Sequence, residues 1–428
     1  MIAALFVSLI TLILLGVPIA VCIGLASMAS MFQGGQVAQM FVVAQRMVTA
    51  IDSTVLLGIP LFVLAGAIMG KGGISRQIVD LCHELFGWMP GSLGVVNIVA
   101  CMFFAAISGS APATVAAIGG IMIPAMIDDG YPAGYAAALS ASGGIIGCII
   151  PPSIPFVNYA LITGESVSEL FAAGAIPGIL MGVALCILNG IYATKNGWGT
   201  RNKGVNFGKA MKALRSAIWA ILMPVIILGG IYGGLFTPTE AAAVACVYGF
   251  LAAFFIYRGI TLVDMYHIAF EAVKTSAMIL FIVATANAFS FIVTKQQVPA
   301  KLSALVLNFT DNWVVILLLI NIILLINGCF METTASTYIY TPILFPLIMS
   351  LGIDPVQFGV VMVMNLTMGL ITPPLGINLF VANGIDKRVI FAEQVKFVLP
   401  MFIVLVGVLM LVSYVPEISL FLVHMMRG

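Results

Sequence analysis

The sequence predicts an all-α polytopic membrane protein built from two inverted repeats, each carrying a re-entrant helical hairpin and a discontinuous helix. Three observations lead there: a charge content too low for a soluble surface, two apolar stretches interrupted near their middles, and the same landmarks recurring about 222 residues apart. Of 428 residues, 62% are hydrophobic and 8% charged, against about a quarter charged in a soluble domain. Apolar runs of about 20 residues recur along the whole chain, the length that crosses about 30 Å of hydrocarbon. A net charge of +1 gives no footprint for nucleic acid. The seven cysteines stand singly, with no CxxC pair, and read as small packing residues rather than disulfide or metal partners.

Taken in order, the opening MIAALFVSLITLILLGVPIAVCIGLASM has no basic n-region and outruns a signal peptide's apolar core, so residues 2–31 read as a retained span. Further crossings fall at 53–70, 133–160, 171–194, 216–234, 239–257, 274–294, 355–381 and 397–423, nine in all. Segments 36–52 and 259–273 are apolar on one face and read as helices lying in the interface. Residues 93–127 and 314–350 fit neither template, because SGSAPAT divides the first and METTASTY the second. Arms of about 14 residues reach about 21 Å, too short to span. Each stretch therefore reads as a hairpin that enters to mid-depth and returns, with its turn buried in protein or facing a water-filled cavity.

The repeat rests on four landmarks in one order. Ser110-Ala111-Pro112-Ala113-Thr114 aligns with Glu332-Thr333-Thr334-Ala335-Ser336, Pro124 with Pro346, Tyr131-Pro132 with Asp354-Pro355, and Pro151-Pro152 with Pro373-Pro374. Lys195, Arg201, Lys203, Lys209, Lys212 and Arg215 place six of the 17 basic residues in one acid-free loop, cytoplasmic by the positive-inside bias. Counting crossings from that loop puts the N-terminus in the cytoplasm and the C-terminus outside, with Lys295 and Lys301 outside against the bias. Span 216–234 has no counterpart in the first half and inverts the second. Residues 1–195 are then the first repeat, 196–235 the basic loop and linking span, and 236–428 the second repeat. A tandem duplication without inversion is the alternative, and it leaves the linking span unexplained.

A helix broken at mid-depth offers carbonyls and hydroxyls that can replace the water shell of a small hard cation, while half-helix N-termini favour an anion. The first tip, 108–114, faces the break 143–153, where Pro151 and Pro152 remove two backbone donors and free the carbonyls around Gly147 and Ile150. Ser108, Ser110, Gly147, Ile150 and Pro152 form the first candidate cation site. Gly328, Glu332, Thr333, Thr334, Gly369, Thr372 and Pro374 form the second. One such proline pair alone would read as a kink; two pairs, each opposite a tip, read as ion sites. Glu332 is the carboxylate placed near the bilayer centre, where a bound cation or a proton must neutralise it; both readings stay open. Glu240 belongs to Thr237-Pro238-Thr239-Glu240, a capping box at a helix start. Asn287 and Asn365 read equally as cavity lining or interhelical glue. His83, His267 and His424 are isolated, and no Walker loop or dinucleotide fingerprint occurs.

The string GGIYGGLFTPTEAAAVA (229–245), with SGSAPATVAAIG and ITPPLGINLF, resembles the large membrane subunit of the tripartite ATP-independent periplasmic (TRAP) transporters over essentially the whole chain. The resemblance implies a bacterial inner-membrane, sodium-driven elevator, in which a transport domain holding both hairpins slides against a scaffold. It implies as partners a small four-helix membrane subunit and a periplasmic substrate-binding protein. Family substrates are mostly carboxylates such as C4-dicarboxylates and sialic acids, and the family's sodium sites lie at the hairpin tips and facing breaks. The expectation is sodium-coupled import of a small carboxylate with at least two Na+, one per repeat. The carboxylate would meet the tip amides, with Ser110, Thr114, Asn158, Ser336 and Asn378 around it. A stand-alone sodium- or proton-coupled anion transporter without a binding protein is the alternative. A passive channel would not need two sets of broken-helix sites, and an intramembrane enzyme lacks catalytic groups.

Overall fold

The computed structural model describes residues 1–35, 40–200 and 204–427; among the described residues every regular element is helical. The chain opens with a correction. Residues 2–31 are two helices, α1 (Ile2–Leu14) and α2 (Ile19–Gln33), separated by Gly16 at φ +76° and restarted behind Pro18. The left-handed backbone at Gly16 suits a residue without Cβ. The pair is antiparallel, since the Ser30 hydroxyl donates to the Met1 carbonyl at 3.1 Å. A single crossing thus becomes an outward and return path, and the N-terminus stays on the side of residue 33.

Of the expected interfacial segment 36–52, residues 36–39 lie outside the described residues, and α3 (Met40–Ile51) leaves Phe41 and Val48 exposed. A 3₁₀ turn, Thr54–Leu57, leads into α4 (Gly58–Lys71), which matches the span expected at 53–70. The amphipathic α5 (Ile74–Phe86), unassigned from sequence, buries Ile74, Ile78 and Cys82.

The first hairpin is α6 (Ser92–Ser108), a turn at Gly109–Ser110, then α7 (Ala111–Thr114), a π turn and α8 (Gly120–Asp128). Its arms are longer than the 14 residues expected, at 17 for the first and 18 for the run Ala111–Asp128. At 1.5 Å per residue they reach about 26 Å, so length alone does not separate these arms from crossings, and it is the turn at Gly109–Ser110 that makes them a hairpin. The first broken helix is α9 (Ala133–Gly144) and a 3₁₀ turn, then the cis Pro151-Pro152 bond and α10 (Ile154–Thr163). Next comes α11 (Val167–Asn196), a 30-residue crossing.

Arg201 and Lys203 of the basic cluster lie outside the described residues, while Lys209, Lys212 and Arg215 sit on the first turns of α12 (Phe207–Tyr232). The cluster is therefore as much helix as loop. After α13 (Pro238–Leu251) comes α14 (Leu262–Lys295), which fuses the expected interfacial segment 259–273 and span 274–294 into one helix of 34 residues. The reason is local: a Thr261–Asp264 capping box starts it, and neither Gly nor Pro interrupts it.

Helix α15 (Val298–Phe309), also unassigned from sequence, precedes the second hairpin, α16 (Trp313–Gly328) and α17 (Thr333–Ser350). The second broken helix is α18 (Pro355–Gly369) and α19 (Ile377–Asn383) around the cis Pro373-Pro374 bond. The expected span 397–423 ends early: α20 (Phe391–Tyr414) stops before Pro416, which has no donor to continue it, and α21 (Glu417–Arg427) turns back against α11.

Polar ties fix which end of the bundle each part occupies. The base of the first hairpin is held at the C-terminal end of α11, where Ser92 Oγ donates to the Thr200 carbonyl at 2.7 Å and Thr200 donates to both Asp129 oxygens. The base of the second lies at the other end: Arg427 pairs with Glu169, in the first turn of α11, at 2.6 Å and with Asp354 at 3.7 Å. The Tyr414 hydroxyl there donates to the Val314 carbonyl at 3.0 Å. Since α14 starts on the basic-cluster side and ends at Lys295, the contact of Gln296 Nε2 with Met1 Sδ at 3.3 Å sets the N-terminus opposite the basic cluster. Met1 thus lies at the end away from the basic cluster, whereas the expected count, with 2–31 as a single crossing, puts it at the basic end.

Helices in lipid gain little from apolar burial against each other and depend on close packing, for which small residues are suited. Gly174, Gly178 and Gly182 form a stripe at intervals of four on α11. A Cβ added at Gly174 or Gly178 would stand 2.5 Å from the Ile149 carbonyl or the Ile150 side chain, and at Gly182 it would strike Met102 Sδ. That stripe seats α11 directly on the first break and on α6.

Candidate functional site

Each hairpin tip lies against its proline break. In the first half, Ile154 N donates to the Gly109 carbonyl at 3.3 Å, which hooks the tip onto the half-helix beyond the break. Gly109 has φ +62°, and a Cβ there would approach the Pro152 carbonyl to 2.8 Å. Beneath the hook, oxygens converge: Ser108 Oγ lies 2.9 Å from Thr114 Oγ1, which donates to the Ser110 carbonyl at 2.9 Å. Gly147 backs onto this cluster, and a Cβ on it would come within 2.9 Å of the Ser110 carbonyl and closer to Thr114 Oγ1. Ser153 caps α10 through Phe156 N and donates to the Cys148 carbonyl at 2.5 Å, while Cys148 Sγ accepts from Ala111 N at 3.2 Å.

The second half repeats the juxtaposition with different groups. Gly328 packs backbone to backbone on Gly369; a Cβ on Gly328 would stand 2.8 Å from the Leu366 carbonyl and 3.0 Å from Gly369 Cα. Asn327 Nδ2 donates to Ser336 Oγ at 2.7 Å, and Thr333 Oγ1 is buried without a partner. Glu332 is the N-cap of α17: its carboxylate accepts from Thr334 N at 2.8 Å, Ala335 N at 3.2 Å and the Thr334 hydroxyl at 3.0 Å. It stays accessible to solvent, as do Pro373 and Pro374, whereas Pro151, Pro152 and Ser108 are buried. Thr372 turns its hydroxyl back to the Met368 carbonyl at 2.9 Å.

Two expectations change. Thr114 and Ser336, expected to face the cargo, are fully buried within the tips, at matched positions beside Ser108 and Asn327. Four of the tip amides have partners: Glu332 accepts from Thr334 N and Ala335 N, Cys148 Sγ from Ala111 N, and the Ser110 carbonyl from Thr114 N. Asn378 ties the second break to α9 by donating to the Ala141 carbonyl at 3.3 Å, and its Oδ1 is buried without a partner. Asn158 accepts from the Tyr338 hydroxyl at 3.5 Å, and its Nδ2 has no partner. Asn365 resolves as interhelical glue, donating to Asn321 at 2.8 Å, which in turn donates to Ser413 at 3.1 Å. Glu240 forms the expected capping box, its carboxylate accepting from the Thr237 amide and the Thr237 hydroxyl at 2.8 Å each.

The sequence reading missed Asn327, Cys148 and Tyr338. Asn327 had a usable signal, a lone amide at the end of an apolar arm one residue before the tip glycine. Among the described residues no three His, Cys, Asp or Glu come together. The donors at both tips are hydroxyls, carbonyls and one carboxylate, which suit a hard cation rather than a thiolate- or imidazole-seeking metal.

Comparison with known proteins gives the family. The family described as "Tripartite ATP-independent periplasmic transporter, DctM component" matches residues 6–418. The chain is 45% identical to an isethionate TRAP transporter permease protein, DctMQ, of Oleidesulfovibrio alaskensis, over 96% of its own length and 64% of that protein's. It is 38% identical to the C4-dicarboxylate TRAP transporter large permease of Rhodobacter capsulatus over 98% of both chains. It is also 39% identical to the sialic acid TRAP transporter large permease of Vibrio cholerae over 90% of each. Among solved structures, the Alcanivorax borkumensis YdaH transporter superposes with TM-score 0.65 at 15% identity, covering 89% of this chain and 88% of that one, a likeness of fold.

Proposed function

The chain belongs to the DctM component family of tripartite ATP-independent periplasmic transporters, and from that premise we propose that it is the large permease of a sodium-coupled importer of a small carboxylate or related organic acid. Relatives named for C4-dicarboxylates, sialic acid and 2,3-diketo-L-gulonate support the substrate class. They are permeases, not enzymes. A relative named as a DctMQ fusion, of which this chain spans 64%, supports a small membrane subunit as partner, with a periplasmic binding protein delivering cargo. The chain sits in the inner membrane as a multi-pass protein. With the basic cluster cytoplasmic, the polar ties support a reading with both termini on the periplasmic side.

The observation that carries this reading is the paired docking of tip on break, at Gly109 against Pro152 and at Gly328 against Gly369. Two hairpins with bases at opposite ends of α11 support an inverted repeat with boundaries near 1–195 and 236–428. Sodium would be held in the first half by Ser108, Ser110, Thr114 and the carbonyls of the break around Gly147, Ile150 and Pro152. In the second half it would be held by Glu332, Thr333 and Thr334 with Gly328, Gly369, Thr372 and Pro374. The unpartnered Thr333 hydroxyl and the space left by Gly147 fit such an occupant. Sodium supplies the charge that offsets the cargo anion, and the protein's part is to keep the oxygens converged. Tips and breaks then move together as a transport domain against α4, α12, α13 and α14. Uptake in proteoliposomes with the partner subunits tests the coupling. Transport unchanged when potassium replaces sodium at constant pH defeats it.

A further inference from the structure

Where α20 begins, it leaves a groove of about 640 Å³ against the start of α9 and the last turns of α11. The groove lies at the basic-cluster end of the bundle: α20 starts just after Arg388, which pairs with Asp128 at the base of the first hairpin, and Tyr192 on α11 is one turn before Lys195. Along α20, Glu393, Lys396, Phe397, Pro400 and Ile403 fall at helical spacing on one face, so a single stripe runs from charged to apolar over about 15 Å. Glu393 and Lys396 are the charged groups of the lining, and both are exposed. Among the described residues neither takes part in an ion pair. Pro400 has no N–H, so the Lys396 carbonyl lacks its helical donor. Tyr192 and Phe397 wall the groove and join Tyr135 and Trp198 in a ring cluster with centroids 4.9 to 6.5 Å apart, the kind of girdle found at a membrane–water interface. Leu399 and Ile403, farther along α20, are exposed.

We propose that this groove holds one phosphatidylethanolamine from the leaflet on the basic-cluster side, its phosphate on Lys396, its ammonium between Glu393 and the Lys396 carbonyl, and an acyl chain along Leu399 and Ile403. The charge pattern selects the head. One acid and one base side by side match a zwitterion, whereas an anionic head that meets Lys396 is repelled by Glu393. A carbonyl without its donor takes an N–H, which ethanolamine offers and the quaternary ammonium of choline lacks. The place in the fold gives the lipid a consequence. A Cβ on Gly134 of α9 would come within 2.9 Å of the Gln394 amide nitrogen, so α9 and α20 meet backbone to backbone beside the groove. Gln394 in turn donates to the Leu379 carbonyl of α19 at 3.1 Å. The groove therefore sits over the seam that joins the first broken helix to the second, and a resident head group braces both. This binding is independent of what the chain carries and of which ion drives it.

Native mass spectrometry of the delipidated full chain in detergent reads the binding, with palmitoyl-oleoyl phosphatidylethanolamine, phosphatidylglycerol and phosphatidylcholine titrated separately. Wild type should hold one phosphatidylethanolamine at least fivefold more tightly than either of the others. Lys396→Ala should weaken it about fivefold, the scale of one charge contact, while Lys396→Arg stays within twofold of wild type. Glu393→Gln should bring phosphatidylethanolamine and phosphatidylglycerol within twofold of each other, since it removes the group that repels an anionic head. Lys212→Ala, on α12, is the control and should match wild type. Melting in lipid-free detergent should be unchanged in every variant, because the altered side chains are exposed. Wild type that retains none of the lipids, or all three equally, overturns the proposal. Tighter binding of phosphatidylglycerol also overturns it, by marking a plain basic surface. Lys396→Ala and Glu393→Gln chains that bind all three lipids as wild type does put the lipid elsewhere and overturn it as well. Loss of binding together with a lower melting temperature in the lipid-free chain overturns it too, by reducing these side chains to supports of the fold.

Discussion

Replacing Gly147 with alanine puts a methyl group into the oxygen cluster of the first tip. The added Cβ would come within 2.9 Å of the Ser110 carbonyl, closer still to Thr114 Oγ1, and 3.2 Å from Thr114 Cβ. Real Cβ contacts do not sit below about 3 Å, so either the tip retreats or the oxygens spread. Overpacking of a tight site costs about 1–3 kcal/mol. About 2 kcal/mol falling on the cation-bound state raises the half-saturating sodium concentration about 30-fold. Gly120→Ala, on the same hairpin with nothing within 4 Å, is the matched control and should leave sodium dependence unchanged. Sodium titrations of uptake in proteoliposomes read the effect, and melting in sodium-free buffer checks that the variant is folded. A folded Gly147→Ala chain whose half-saturation stays within twofold of wild type would refute the assignment of this cluster to a cation.

Three other outcomes follow from the same geometry. Gly328→Ala should reduce sodium-dependent uptake more than tenfold in that assay, because the obstructing atoms are backbone, the Leu366 carbonyl and Gly369 Cα, which cannot rotate away. Glu332→Ala removes the cap of α17 and should lower unfolding free energy by about 1 kcal/mol in a denaturant titration, with Glu332→Gln losing less. Burial, Asp354 and Glu169 hold the Glu165 carboxyl above its usual range against the opposing pull of Arg427, so the folded state keeps this proton to higher pH than the unfolded chain does. That contribution is present below the unfolded value of about 4.3 and is lost as pH rises through the folded one. Glu165→Gln should therefore melt higher than wild type at pH 7, and the gap should close below about pH 4.

Both hairpins and both breaks were legible in the sequence because their cause is local. Small polar residues interrupting an apolar arm and two adjacent prolines act wherever they occur, and the structure turns the chain at Gly109 and breaks it at Pro151 and Pro373. The path of the first 33 residues was not legible, since the apolar run continues through Gly16 and Pro18 and reads as one span, and reversal depends on α2 packing back on α1. Helix α14 was divided in two because polar residues at its start looked interfacial, although its unbroken backbone was visible in the lack of Gly and Pro. At the site, Thr114 and Ser336 carry a hydroxyl suited to cargo or to the tip. Only the partners Ser108 and Asn327 decide between them, and one of those is nine residues away across the turn. Asn158 was legible as a polar group in a span, but the space beside Tyr338 is made by five separate stretches that sequence order does not bring together.

Helix α14 and the stretch that precedes the first hairpin answer a load differently. Thirty-four residues without a weak point make a strut of about 51 Å, longer than the hydrocarbon and so obliged to lean or protrude. On the other side α3 and α4 are parted at Asp52 and Ser53 by non-helical backbone and a 3₁₀ turn, which is a joint. Pushed along its length, the unbroken strut transmits the load, while the interrupted stretch has its weakest point at Ser53, where no helical ladder runs through.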